Sequence, residues 1–200
     1  MNYLAHLFFA EDHSHSRIGN LLGDFCRGVD INSLHPQIRR GLQQHRAIDA
    51  FTDHSAEVRA AKQFFSTARR RFAGIAIDML FDHFLIRHWQ NYHPLPFEDY
   101  KTQLYQKLQS DLSLMPASMQ PTVQSIIQRD WFFSYADINH LSLALDRVAL
   151  RIRFANQFAG AGLEIQAHYP ELEQLFLQFF PRLQQHVRTL SAQGAENPAR

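Results

Sequence analysis

Two hundred residues, 46% hydrophobic and 20% charged, suffice for one domain with a real core. A formal charge of +1 excludes the basic excess of a dedicated nucleic-acid binder. No apolar run approaches membrane-spanning length, and Met1-Asn-Tyr-Leu-Ala-His lacks the basic-then-apolar layout of a signal peptide. Cys26 is the only cysteine, which rules out an intrachain disulfide and reads as a small buried hydrophobe; the expected compartment is the cytoplasm. The cations are skewed: seventeen are Arg and three are Lys (Lys62, Lys101, Lys107). Arg grips phosphate and carboxylate through paired N–H groups, so the bias points to anionic partners.

Nearly every segment has helical periodicity, and none alternates like a strand. Asn2–Ala10 reads as a short apolar helix with Asn2 and His6 one turn apart, and Glu11–Ser16 as a polar, His-rich connection. Ile18–Gly28 resumes as a helix carrying Asn20 and Asp24 at i, i+4. Pro36 suits the first turn of the next helix, on which His45, Asp49 and Asp53 form one polar line. Ser55 can cap a helix through Val58, Phe64 and Phe65 to Arg69-Arg70-Arg71, which Gly74 can end. Ile75–Tyr92 is strongly apolar but interrupted by Asp78, Asp82, His83 and His88.

The second half is chemically quieter. Phe97–Leu112 and Thr122–Phe133 read as amphipathic helices separated by a loop containing Pro116. Leu141, Leu145, Val148 and Ile152 form an apolar stripe, with Arg147, Arg151 and Arg153 off it. From Gly162 a long helical pattern, punctuated by Pro170 and Pro181, presents Leu172, Leu175, Phe176, Phe179 and Leu183. With no internal repeat and no dividing linker, the expected architecture is an all-α multi-helix bundle: one domain over residues 1–190 and a frayed tail over Ser191–Arg200.

Polar pairs recur in apolar helices: Asn2/His6, Asn20/Asp24, His45/Asp49 and Asp78/Asp82. Unpaired buried carboxylates are expensive, so Arg, His or a metal must neutralise them. His6, Asp24, His45, Asp49, Asp78, Asp82 and His83 offer only O and N donors, a set that suits Mn²⁺, Fe²⁺, Mg²⁺ or Zn²⁺ and lacks the thiolates of a structural zinc site. The alternative for each residue taken singly is an Arg salt bridge or a satisfied core imidazole. For the four helices together, a shared metal site is the expectation.

Five stretches carry a family resemblance: Asn2-Tyr-Leu-Ala-His6, Gly19-Asn-Leu-Leu-Gly-Asp24-Phe25, His45-Arg46-Ala-Ile-Asp49, Thr52-Asp53 and Asp82-His83-Phe84-Leu85. In order, and over about residues 1–190, the chain resembles the acyl carrier protein phosphodiesterases. That resemblance implies an all-helical fold related to the metal-dependent HD phosphohydrolases, a dependence on Mn²⁺, and hydrolysis of the phosphodiester joining phosphopantetheine to the serine of holo-acyl carrier protein. No adjacent His-Asp dipeptide occurs here; there are His45-Arg46 and the reversed Asp82-His83. On this reading His6, Asp24, His45, Asp49 and Asp82 serve metal binding or water activation, and Asp78 orients a neighbouring ligand. His83 is a candidate acid for the serine leaving group and Arg46 a candidate phosphate clamp. Arg69, Arg70 and Arg71, with Arg27, Arg39 and Arg40, are candidates for docking an acidic carrier protein. The alternatives are an HD-like nucleotide phosphohydrolase and a non-enzymatic helical interaction module.

Overall fold

A computed structural model describes residues 1–196, with side chains through Gln193. Among the described residues there are eleven α-helices, short 3₁₀ turns and no strand. The first helix, α1 (Tyr3–Phe9), is too short to be stable alone. Its Leu4 and Ala5 N–H groups donate to Asp82 Oδ2 and Oδ1 at 2.9 and 3.1 Å. A carboxylate on α5 (Ala73–Arg87) thus supplies the N-terminal cap that the Asn2 side chain does not provide.

Helix α5 is the centre of the molecule. Ala76, Ile77, Leu80, Phe81, Phe84 and Leu85 on it are fully buried, and it packs against α1, α4 (Ala56–Lys62), α8 (Trp131–Ala136), α9 (Ile138–Arg151) and α11 (Tyr169–Glu196). The Phe-rich stretch of α11 meets it, with Phe176 5.4 Å and Phe179 5.3 Å from the Phe81 ring. Pro181 lies inside α11 without ending it, because Phe179, Phe180 and Leu183 anchor both sides of the proline in the core.

The closest helix pair is α2 (Ser14–Leu22) and α3 (Pro36–His54). Gly19 and Gly41 face each other: a Cβ on Gly41 would stand 2.9 Å from the Gly19 Cα, and one on Gly19 would overlap the Ile38 carbonyl. Only two glycines allow this backbone contact. The turn that continues α2, Gly23–Phe25, is 3₁₀, so the helix expected over Ile18–Gly28 stops early and presents Asp24 from the tighter turn. Likewise α2 begins at Ser14, inside the expected connection.

Elsewhere the boundaries also move. α4 ends at Lys62; Arg70–Phe72 is a separate 3₁₀ turn, and Gly74 lies within the first turn of α5 instead of ending a helix. The pattern after α6 (Phe97–Asp111) that reads as Thr122–Phe133 is two helices, α7 (Gln120–Gln128) and α8. They break at Asp130, which adopts φ +43° and caps α8 by accepting from Phe133 N at 3.2 Å. The long pattern from Gly162 divides into α10 (Ala161–Ala167) and α11. α11 runs through Ser191 to Glu196, where a frayed end is expected; residues 197–200 lie outside the described residues.

Candidate active site

The Gly19–Gly41 contact fixes the residues one turn further along each helix. Gly23 sits opposite His45, and a Cβ there would overlap the imidazole ring. The ring is therefore seated in a notch that only glycine leaves open. His45 Nδ1 donates to the Asn20 carbonyl at 2.7 Å, so Nε2 is the nitrogen left to hold either a proton or a cation against Asp49. That nitrogen lies 3.0 Å from Asp49 Oδ2, one turn along α3.

From α1, His6 stacks on His45 with ring centroids 3.9 Å apart. Its Nε2 is 3.2 Å from Asp49 Oδ1. Asp49 is the polar group beside that nitrogen, and Nδ1 has no hydrogen-bond partner among the described residues, although the residue is only 1% exposed. Ligand atoms of His6, His45 and Asp49 all fall within 4.8 Å of one another, a spacing suited to a divalent cation. Burial pushes His6 down to about 4, which the nearby Asp49 carboxylate only partly offsets; the imidazole is neutral near pH 7 and able to ligate. His45 moves up from its ordinary value: burial works against the charged form, but the bond to Asp49 and its negative charge outweigh it. Burial also opposes ionisation of Asp49, yet His45, His6 and the Met1 ammonium hold its carboxyl far below the usual range.

The cluster adjoins a cleft of about 400 Å³. Met1 links them: its ammonium is 3.0 Å from Asp78 Oδ1 and 3.6 Å from Asp49 Oδ1, and Met1, Asp78 and Asp24 all line the cleft. Tyr3, Trp131 and Tyr135 give it aromatic walls, and Arg129, Arg147 and Arg151 line it as well. The Asp24 carboxyl is raised by the protein surrounding it, and Asp49 and Asp78 add repulsion that His45 opposes. Asp78 is raised by burial, against the pull of the Met1 ammonium.

The expected site residues thus separate into groups. His6, His45 and Asp49 converge, with Asp24 and Asp78 beside them on the cleft wall. Asp82 is fully buried and spends both oxygens on α1, although burial pushes its carboxyl up to about 7 against those two N–H bonds. Where a metal ligand is expected, the structure has a carboxylate that positions the helix bearing His6. His83 is turned away: Nδ1 donates to the Tyr135 carbonyl at 2.7 Å and Nε2 pairs with the Tyr169 hydroxyl at 2.6 Å, so no nitrogen is left to protonate a leaving group. Arg46 is exposed and does not line the cleft.

The expected docking arginines lie elsewhere. Arg69 is held by Glu164 at 2.9 Å and by the Ala159 carbonyl, Arg70 donates to the Phe65 carbonyl, and Arg71 lies over the Phe72 and Phe154 rings. Arg27 is exposed, Arg39 half-buried, and Arg40 lies 3.8 Å from Glu11. Sequence reading misses the structural glycines Gly19, Gly23 and Gly41 and the cleft's three arginines. The signal for Arg147 and Arg151 is their i, i+4 spacing just off the apolar stripe of α9.

Among the described residues, no helix is long and apolar enough to cross a membrane. No solved structure matches the chain. The family model described as acyl carrier protein phosphodiesterase matches residues 1–183. Curated proteins of that name are similar along nearly their whole length. That of Serratia proteamaculans is 35% identical, covering 94% of this chain and 98% of the relative. That of Pectobacterium atrosepticum is 34% identical with the same coverage, and that of Escherichia coli O45:K1 is 33% identical, covering 94% and 97%. With so long a match, the chain belongs to the acyl carrier protein phosphodiesterase family.

Proposed function

We propose that this protein is a metal-dependent phosphodiesterase that releases 4'-phosphopantetheine from holo-acyl carrier protein, leaving the apo form. The observation that carries the reading is His6: a buried imidazole whose Nδ1 has no partner and whose Nε2 faces the Asp49 carboxylate, stacked on His45, in a chain of this family. An unpaired buried polar group costs about 1–3 kcal/mol, a penalty that a bound cation removes. His6, His45 and Asp49 would hold the cation, most simply Mn²⁺ given the O/N donors. When bound, a divalent cation supplies charge stabilisation to the phosphoryl oxygens and acidifies a nearby water.

The chain's own groups set up the rest. Asp24, its carboxyl raised above the ordinary carboxylate value by the protein around it, takes a proton from the attacking water as the water oxygen bonds to phosphorus and the P–O bond to the serine oxygen breaks. Asp24 passes that proton to the serine oxygen as it leaves, so one water is consumed and no other reactant is needed. Asp78 holds the Met1 ammonium against the cluster and so places positive charge among three carboxylates. The aromatic walls of the cleft exclude water around the pantetheine arm. The reaction belongs in the cytoplasm, where the carrier protein works.

The test is substrate choice. Incubation with holo-carrier protein should give apo protein and free 4'-phosphopantetheine in equal amounts, while mono- and cyclic nucleotides remain intact. Turnover of nucleotides without turnover of the carrier protein would replace this reading with the nucleotide phosphohydrolase.

A further inference from the structure

The cleft has a cationic side that the proposed chemistry does not use. Arg129, Arg147 and Arg151 line it, and none of them takes part in an ion pair or a side-chain hydrogen bond among the described residues. Other arginines are spent internally: Arg17 on Asp111 and Asp12, Arg87 on Glu173, Arg182 on Glu57. In a chain of formal charge +1, three unspent arginines outnumber the two carboxylates, Asp24 and Asp78, that line the same cleft and concentrate positive charge there.

Their helix shows which kind of anion fits. On α9, Leu141, Leu145 and Ala149 are buried, while Ala144, Arg147, Val148 and Arg151 line the cleft. Helical spacing places Leu143 and Leu150 one turn to either side of Arg147, on the outer rim, and they are 54% and 86% exposed. A small phosphate ester needs the arginines but has no use for two bare leucines. Leucine beside arginine at an exposed rim is what a protein partner with both carboxylates and apolar side chains would cover.

We propose that the outer face of α9, with Arg147 and Arg151 flanked by Leu143 and Leu150 and with Arg129 lining the same cleft, is the surface on which the carrier protein docks. The occupant is an acidic helical face of that protein beside its modified serine, and the pantetheine arm enters the cleft from there. The inference rests on the carrier protein being the substrate, but it concerns binding, which can be measured without turnover.

The experiment uses the whole enzyme, purified apo-carrier protein, which has no phosphodiester to cleave, and holo-carrier protein. Arg147→Gln/Arg151→Gln and Leu143→Gln/Leu150→Gln are compared with Arg39→Gln/Arg40→Gln; every changed side chain is at least partly exposed, and circular dichroism checks each fold. The α9 variants should weaken apo-carrier binding, and raise KM for the holo form, by about tenfold, more than they lower kcat. The arginine pair should also flatten the salt dependence of binding, because exposed charges are screened over about 8–10 Å. Wild-type enzyme that binds no carrier protein, α9 variants with unaltered Kd and salt slope, or a larger effect from Arg39 and Arg40 would each overturn the assignment. Carrier binding that depends on α9 but yields no apo product would support this surface and remove the phosphodiesterase reading instead.

Discussion

His6 is the residue whose environment most needs explaining, because a 1% exposed imidazole with an unpartnered Nδ1 works against the fold that contains it. Replacing it by an apolar side chain of similar size should relieve that cost. His6→Leu is predicted to raise the melting temperature of the metal-free protein while abolishing the stabilisation that Mn²⁺ gives to the wild type. A lower melting temperature together with undiminished Mn²⁺ binding by calorimetry would show that His6 is an ordinary core residue. For His45→Ala, Asp49→Ala and Asp24→Ala the prediction concerns rate: turnover should fall by about 10²-fold or more with the helical content retained. His83 provides a pH test away from the cluster. Burial lowers its pKa below 6.5, with the Tyr135 carbonyl only partly opposing. Between that lowered value and 6.5 the unfolded chain binds more protons than the folded one, so stability falls as pH drops through this window and levels off above it. His83→Gln, which can still bond Tyr135 and Tyr169, should melt with a flatter dependence across that range in thermal scans from pH 4.5 to 8.

At the scale of elements, the α2–α3 seam decides whether the cluster forms. Gly23→Ala should force the His45 ring out of its notch, lowering Mn²⁺ affinity and turnover together; Gly19→Ala should destabilise by about 1–3 kcal/mol, because a methyl in a backbone contact has no flexible side chain to displace. Urea melts and Mn²⁺ titrations of both variants separate the two effects; a Gly23→Ala protein with normal Mn²⁺ affinity would mean that the notch does not set the ring. The helices themselves are readable from periodicity, and so are His6, His45 and Asp49 as polar residues on apolar helices. Their boundaries are not, because Asp130 ends α7 through a left-handed backbone conformation that its side-chain type alone does not announce. The roles of Asp82 and His83 are equally illegible: a buried carboxylate reads the same whether it binds a cation or the N–H groups of a distant helix. Glycines at 19, 23 and 41 have no pattern of their own until the pairing of α2 with α3 is known.

For the molecule as a whole, one cleft carries Asp24 and Asp78, beside the buried His6, His45 and Asp49, together with unspent arginines on its α7–α9 side. A protein nearly neutral overall can attract an acidic partner only through such local charge, so kcat/KM on holo-carrier protein should fall as ionic strength rises from 20 to 300 mM on the order of tenfold, while kcat changes less. If the O/N cluster acts through a bound divalent cation, hydrolysis of the carrier-protein phosphodiester needs both the cation and His45. The most direct measurement is the intact mass of holo-carrier protein after incubation with enzyme stripped by chelator, with the same enzyme after Mn²⁺ is restored, and with His45→Ala plus Mn²⁺. Conversion to the apo mass is predicted only with wild type and Mn²⁺. Full conversion by demonstrably metal-free enzyme, or by His45→Ala at the wild-type rate, would contradict a metal-dependent cluster.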